Sequence, residues 1–485
     1  MKTECRAQGL EFQGLNSRAV AGNFDGGAIS SDGGGLLLRE VEKRLRVIER
    51  FAACFTDHRD PDLIEHTVGE LAAQRVYALA LGYEDLNDHD LLRNDPLLAT
   101  LAGKADPTGA SRVRERDRGK ALAGKSTLNR LELTGEAVDP KNRYRKIVAD
   151  MGAIERFFVD VFLSLHKKAP KRIVLDLDAT DDRIHGGQAG RFFHGYYGDY
   201  CFLPLYIFCG DDLLCAKLRP SNIDASAGSV EELTRIAGRI RERWPKVKIV
   251  IRGDSGFCRE EIMAWCEANA VDFVLGLAKN PRLKEILAAE LDEARRLHEE
   301  SGNASRVFKD FLYRTRESWS RERRVVGKAE HLEKGSNPRF VVTSIAPEEM
   351  DARTLYEREY CARGEMENRI KEQQLDLFAD RTSAHEMRSN QLRLWFSSVA
   401  YTLVNALRRF GLRGTDMERA QCGTIREKLF KIGAQVKVSV RRVLISFSSA
   451  WPWREIFVAV LRNLQKIRIN LIAPSLPPPR VPQIC

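Results

Sequence analysis

The sequence predicts an α/β fold, and three features carry that prediction. Two apolar, β-branched runs, residues 173–180 and 248–253, read as buried strands; each brings an aspartate, Asp178 and Asp254, to a sheet edge. Strand-like and helix-like segments follow one another from residue 173 in the order βββαβαβ. Before them the apolar spacing from Leu36 to about Leu101 is helical, so a mainly helical N-terminal domain, residues 1–148, precedes the α/β part.

The elements follow in chain order. Residues 10–35 are glycine-rich and fit a loop or short hairpin. From Leu36 to about Leu101 the apolar spacing is helical, broken by Gly82-Tyr-Glu-Asp-Leu-Asn-Asp-His-Asp90. That acidic segment around His89 reads as a helix-capping turn, because its ligand spacing fits no standard metal loop. Gly119-Lys-Ala-Leu-Ala-Gly124-Lys125-Ser126 matches the phosphate-loop pattern letter for letter. Such a loop must follow a buried strand, and the charged run Arg112–Arg118 before it cannot be one, so the match is expected to be inert. That basic run is either a phosphate contact or a solvated face.

The α/β part opens with strand 173–180. A long strand-like stretch covers 196–208, and another strand covers 213–218. A helix over 229–243 carries Ser229 and Glu232 in capping-box positions. Strand 248–253, helix 259–268 and strand 272–277 complete the series. Residues 281–350 then read as a β-rich insertion: a charged helix over 281–300, followed by strands at 307–314, 323–329 and 339–345. Trp319 lies there among Arg314, Arg316 and Arg321; it either stacks on an unpaired base or packs on the insertion's own core. Ser383-Ala-His-Glu386 is a capping box ahead of a long buried helix. A strand is expected at 436–447, and a proline-rich tail occupies 473–485. The resulting domains are 1–148, a core of 149–280 and 351–472, the insertion 281–350, and the tail.

The chain has 485 residues, enough for two or three domains, and a net charge of +10 that favours a polyanionic partner. The first residues lack the apolar run of a signal peptide and no run is long enough to span a bilayer, so a cytoplasmic location is expected. The ten cysteines show no Cys-x2-Cys pair and read as reduced and mostly buried.

A third acidic point joins the two strand-end aspartates. In Tyr360-Cys-Ala-Arg363-Gly-Glu-Met-Glu367-Asn-Arg-Ile-Lys371, a helix places Tyr360, Arg363, Glu367 and Lys371 on one face. Two strand-end aspartates and a helix glutamate are hard oxygen donors of the kind a pair of divalent cations needs for in-line phosphoryl transfer. Asp176 competes with Asp178 for the first position, because both point to the same side of the strand. Asp178 is preferred as the nearer to the strand end.

At these residues the chain resembles the DDE transposases of bacterial insertion sequences. It is most similar to the thirteen-eighty family. The resemblance rests on Tyr360-x2-Arg363-x3-Glu367, on Asp176-Leu-Asp-Ala-Thr-Asp-Asp182, and on Gly195-Tyr-Tyr followed by Tyr200-Cys-Phe-Leu-Pro-Leu205. The wider signature places a lysine seven residues after the glutamate, where this chain has Gln374, and Lys371 is the candidate substitute. The resemblance implies a ribonuclease-H-like catalytic core with its first and fourth strands adjacent, and an insertion lying over the site. It implies metal-dependent cleavage at element ends and strand transfer into target DNA. In that reading Asp178, Asp254 and Glu367 hold Mg2+, with Mn2+ able to substitute. Tyr360, Arg363, Lys371 and Trp319 contact DNA. The partners are terminal inverted repeats, with the helical domain 1–148 expected to bind the DNA ends, and target DNA, engaged by a homodimer on paired ends. Two alternatives stand beside it: a catalytically silent transposase-derived DNA-binding protein, and a ribonuclease-H-like nuclease without strand transfer.

Overall fold

The computed structural model describes residues 9–133, 135–138, 141–142 and 144–467. The expected proline-rich tail, residues 473–485, lies outside them. Nine strands form one mixed central sheet. In chain order they are β1 (Arg172–Ala179), β2 (Leu205–Cys209), β3 (Asp212–Lys217), β4 (Lys248–Gly253), β5 (Asp272–Leu277), β6 (Ser305–Tyr313), β7 (Arg323–Leu332), β8 (Gly335–Ser336) and β9 (Arg339–Thr343). Across the sheet they run β3-β2-β1-β4-β5-β9-β7-β6, with β8 paired to β7. The first five positions are a ribonuclease-H-like core: β1 pairs antiparallel with β2 and parallel with β4, and β4 pairs parallel with β5. The strands of the insertion continue this sheet outward through the antiparallel pair β5–β9.

Period two sorts the side chains onto two faces. Ile173, Leu175 and Leu177 of β1 pack with Ile249 and Ile251 of β4 against helices Ser229–Arg243 and Glu260–Ala268. On the other face Val250, Val274, Val326 and Val341 pack against Leu355 and Tyr356, which open the segment carrying the third carboxylate. The helices expected as a separate N-terminal unit share an apolar core with the C-terminal helix Met387–Ala406. Helix Val68–Leu81, started by a Thr67–Glu70 capping box, is buried along nearly all its length against it. Glu132 binds both Arg75 (3.1 Å) and Arg393 (2.8 Å), an ion network that ties the two parts of the chain together.

Several local expectations are corrected. Helix Ser229–Arg243 is capped by Gly228 in the left-handed conformation (φ 75°), and Glu232 faces Lys217 and Arg235 instead of forming a capping box. Helix Met387–Ala406 starts without a side-chain cap; Ser383 accepts a hydrogen bond from Arg393. The stretch 196–208 breaks into Asp199–Phe202 and β2 at Leu203-Pro204, where proline has no N–H to give a ladder. The expected strand 436–447 is a hairpin, Ala434–Ser439 and Arg442–Phe447. The helix over 281–300 is two, Pro281–Ile286 and Ala288–Ser301. The eight cysteines among the described residues are unbridged. Among the described residues no helix is long and apolar enough to cross a membrane.

Candidate active site

Parallel pairing of β1 with β4 brings the first two carboxylates together. Leu177 stands opposite Gly253, and the next residues on the two strands are Asp178 and Asp254. Asp254 starts a tight turn, its Oδ1 accepting from the Gly256 N–H at 2.8 Å. The third carboxylate comes from residues 352–376, a continuous but irregular helical segment. Wide π turns at Leu355–Tyr360 and Glu372–Asp376 flank the 3-10 turn Cys361–Arg363 and the α-helix Gly364–Lys371. Such interruptions recur at functional sites.

A buried clamp fixes this segment on the sheet. Asp176, 3% exposed, holds Arg252 of β4 in a bidentate pair, with Nη2–Oδ2 at 2.8 Å. Arg252 also donates to the Glu359 carbonyl, and Arg172 of β1 binds the Glu359 carboxylate at 2.6 Å. Asp176 is thereby occupied in holding the helix, whereas Asp178 is only half-buried. Of the two, Asp176 is the one committed to a buried ion pair. Sequence reasoning passed over Arg252 and Glu359; the arginine inside the apolar run 248–253 was the signal, since a buried charge requires a partner.

Gly276 of β5 performs a second positioning task. A Cβ there would lie 2.5 Å from the Tyr360 hydroxyl, 3.0 Å from the Ser255 nitrogen and 3.2 Å from the Asp254 carbonyl carbon. Only a bare backbone lets Tyr360 seat beside Asp254. On the other side of Asp178, the Tyr197 hydroxyl donates to the Ala179 carbonyl at 3.3 Å.

Electrostatics tie the cluster together. Burial pushes the Asp178 carboxyl up to about 7; Arg363 opposes this, and the negative charges of Asp254 and Glu367 reinforce it. Burial works against the charge of Arg363, but Asp178, Glu367 and Asp254 together raise its pKa above the ordinary value. Arg363 donates to Glu367 at 2.7 Å, one helical turn on. The guanidinium thus supplies positive charge among carboxylates that repel one another.

The donor set has the chemistry a divalent cation requires: oxygen only, acidic and reachable from solvent. Among the described residues, however, no three acidic, histidine or cysteine side chains stand close enough to hold one ion, and Glu367 is paired with Arg363. Asp178 and Asp254 are the pair that would hold it.

The other singled-out residues fall as follows. Lys371 is exposed, and Gln374 donates to the Asp181 carbonyl and to Asp182 Oδ1 at 3.1 and 2.9 Å. Trp319 is a correction: it is 3% exposed, edge-on to Tyr313 with ring centroids 5.8 Å apart, and packed in the core beneath the insertion strands. Its flanking arginines do not make it a surface platform; Arg323 lies over its ring. Lys125 begins helix Lys125–Glu132 without a strand before it and binds Asn87. His89 is buried against Gln74, and Asp85 caps the turn ahead of it.

A family model described as "Transposase DDE domain group 1" matches residues 12–469. No curated protein matches the chain. Among solved structures the chain is similar to a piggyBac transposase synaptic complex with hairpin DNA, studied by cryo-electron microscopy. The likeness is 11% identity over 81% of this chain and 79% of that one, at a TM-score of 0.41.

Proposed function

Because the chain belongs to the transposase DDE domain group 1 family, we propose that it cuts DNA at the ends of a bacterial insertion sequence, of the thirteen-eighty kind, and joins those ends to target DNA. One observation carries the reading: parallel pairing of β1 with β4 puts Asp178 and Asp254 at adjacent strand ends, and the helical segment clamped to the same sheet holds Glu367 in an ion pair with Arg363. Asp178 and Asp254 would hold a divalent cation, Mg2+ or Mn2+, with Glu367 completing the set. When bound, such ions activate a water or a 3′-hydroxyl and neutralise charge on the scissile phosphate.

The chain's own residues do the rest. The strands hold Asp178 and Asp254 at fixed separation. Arg363, engaged with Glu367, exchanges that carboxylate for a DNA phosphate and grips it by paired hydrogen bonds. Glu367, released, turns toward the aspartate pair. Tyr360, seated over Gly276, orients the same phosphate, and exposed Lys371 meets the backbone beyond it. The chain works as a homodimer on paired terminal repeats, in the cytoplasm.

The test is an assay on end-labelled duplexes carrying the repeats that bracket the gene, in Mg2+ or Mn2+. Asp178→Ala, Asp254→Ala and Glu367→Ala should each abolish cleavage and retain end binding in a gel shift. Cleavage that survives one of them removes that residue from the site. Cleavage without joining supports the nuclease alternative, and binding without cleavage by the unaltered chain supports the silent one.

A further inference from the structure

Three helix ends enclose a cavity of about 500 Å³, the size of a small-ligand pocket. Lys167 follows helix Met151–Ser164 by three residues. Arg409 and Phe410 lie in the π turn Leu407–Gly411, which continues helix Met387–Ala406. Lys466 and Ile467 follow helix Arg454–Gln465. Asn463 of that last helix donates to the Gly411 and Arg413 carbonyls at 2.9 and 3.2 Å, which fixes the loop bearing Arg413 against it.

Strand direction gives the position of this cavity. Lys167 precedes β1 by five residues, and Asp212, which opens β3, binds Arg409 at 2.8 Å. β3 runs parallel to β1, because each is antiparallel to β2. The cavity therefore lies at the end of the sheet where these strands begin. Asp178 stands near the other end of β1. The stretch of strand between them spans about 20 Å.

Charge selects the ligand. Lys167, Arg409, Arg413 and Lys466 line the cavity, and no carboxylate does. Two carboxylates bond to its walls from outside: Asp212 binds Arg409, and Glu418 accepts from the Gly414 N–H at 2.9 Å. Four positive charges against two negative ones leave an excess of two. Among the described residues Lys167, Arg413 and Lys466 form no ion pair. Bases just past helix C-termini also answer the helix dipoles, but that effect acts at each end separately and does not bring three bases to one cavity. Like charges that converge in this way repel one another until an anion lies between them. Guanidinium and ammonium donors suit phosphate oxygens. Phe410 and Ile467 add an apolar wall for the body that carries the phosphate.

We propose that this cavity is a phosphate site remote from the carboxylates, and that it holds the phosphate of one nucleotide unit. A DNA backbone and a free nucleotide share that chemistry. DNA is the expected source, an inference that rests on the DNA-cutting reading above. A straight duplex covers a gap of about 20 Å in about six base pairs, so the phosphate held here is not the one that is cut. The site grips DNA and takes no part in the chemistry.

The test uses the full chain, metal-free duplexes of the repeats bracketing the gene, and the double variant Arg413→Gln/Lys466→Gln. Both side chains are exposed, so the fold should persist, with melting temperature as the check. If it does not, Lys167→Gln takes its place. The variant should bind DNA about tenfold more weakly and lower the salt slope of binding by about 1. Arg413→Lys/Lys466→Arg should bind as the unaltered chain does. Neutral methylphosphonates, placed one at a time along the duplex, locate the contact. One position away from the cut should weaken binding by the unaltered chain and leave the variant indifferent. With saturating DNA and Mg2+, the variant should cleave at the unaltered rate. A second arm uses ATP without DNA. Equal DNA binding by both chains, with ATP raising the melting temperature of the unaltered chain alone, assigns the phosphate to a free nucleotide. No difference between the chains in either arm overturns the cavity and leaves the DNA-cutting reading intact. Slower cleavage by the variant at saturating DNA overturns the remote role. If the unaltered chain neither binds nor cuts the repeats, the DNA-cutting reading falls and the ATP arm alone decides the cavity.

Discussion

Substituting Gly276 tests whether the close approach of β5 to Tyr360 and Asp254 organises the site. The added methyl of Gly276→Ala would meet the Tyr360 hydroxyl at 2.5 Å, Ser255 N at 3.0 Å and Asp254 C at 3.2 Å. The hydroxyl is the end of a side chain and can retreat; the other two atoms are backbone and cannot, short of moving the turn that carries Asp254. Overpacking of this kind costs about 1–3 kcal/mol. Alanine is better than glycine within a strand by about 0.5–1 kcal/mol, which partly offsets the clash. The expected net loss is on the order of 1–2 kcal/mol in urea unfolding. The loss in cleavage should be larger than stability alone accounts for, because the displaced backbone bears Asp254, one of the carboxylates proposed to hold metal. Adding Tyr360→Phe removes the nearest contact and leaves the two backbone ones. The double variant should therefore recover part of the stability, with a coupling of about 1 kcal/mol, and little of the cleavage. A Gly276→Ala protein with unaltered stability and cleavage would refute the reasoning, as would strict additivity with Tyr360→Phe.

Other measurements bear on particular residues. The Asp178 carboxyl, raised to about 7 chiefly by burial, contributes stability that is complete below its ordinary pKa and is lost as pH rises through 7. Metal-free melting curves of the unaltered protein against Asp178→Asn should thus diverge between pH 4 and pH 8, and Mg2+ should restore more stability at pH 8 than at pH 6; parallel curves would place the carboxyl in ordinary solvent. Lys125→Ala should leave cleavage unchanged and ATP-independent, since Lys125 binds Asn87 on a helix that no strand precedes; a requirement for ATP would reverse that conclusion. Trp319→Ala should cost about 3–5 kcal/mol of stability and slow every DNA step alike, as loss of a buried ring does; selective slowing of one step at full stability would return Trp319 to the DNA.

The amino-acid sequence by itself determined the strands that carry the site and the order in which they occur. Burial on both faces leaves short, nearly continuous apolar runs, so 173–180, 248–253 and 272–277 were legible, and the aspartates at the ends of the first two stood out. The Tyr360–Arg363–Glu367 spacing was legible from the helical period, and the structure adds that Arg363 and Glu367 pair one turn apart on that face. Only the tertiary structure decided that Asp176 is bound in an ion pair, because that depends on a partner 76 positions away, Arg252. It also decided the fate of Trp319: arginines beside it in sequence face Glu267 and backbone atoms, while the ring turns inward. Capping boxes at Ser229 and Ser383 failed because Glu232 and Ser383 had stronger, charged partners from other elements. The N-terminal helices, apolar on nearly every side, could not be separated from Met387–Ala406 by period, because a helix buried all round gives no face by which to choose its neighbour. Local periodicity records whether a residue is inside; which distant residue meets it there is fixed only when the sheet closes and buried charges find their partners.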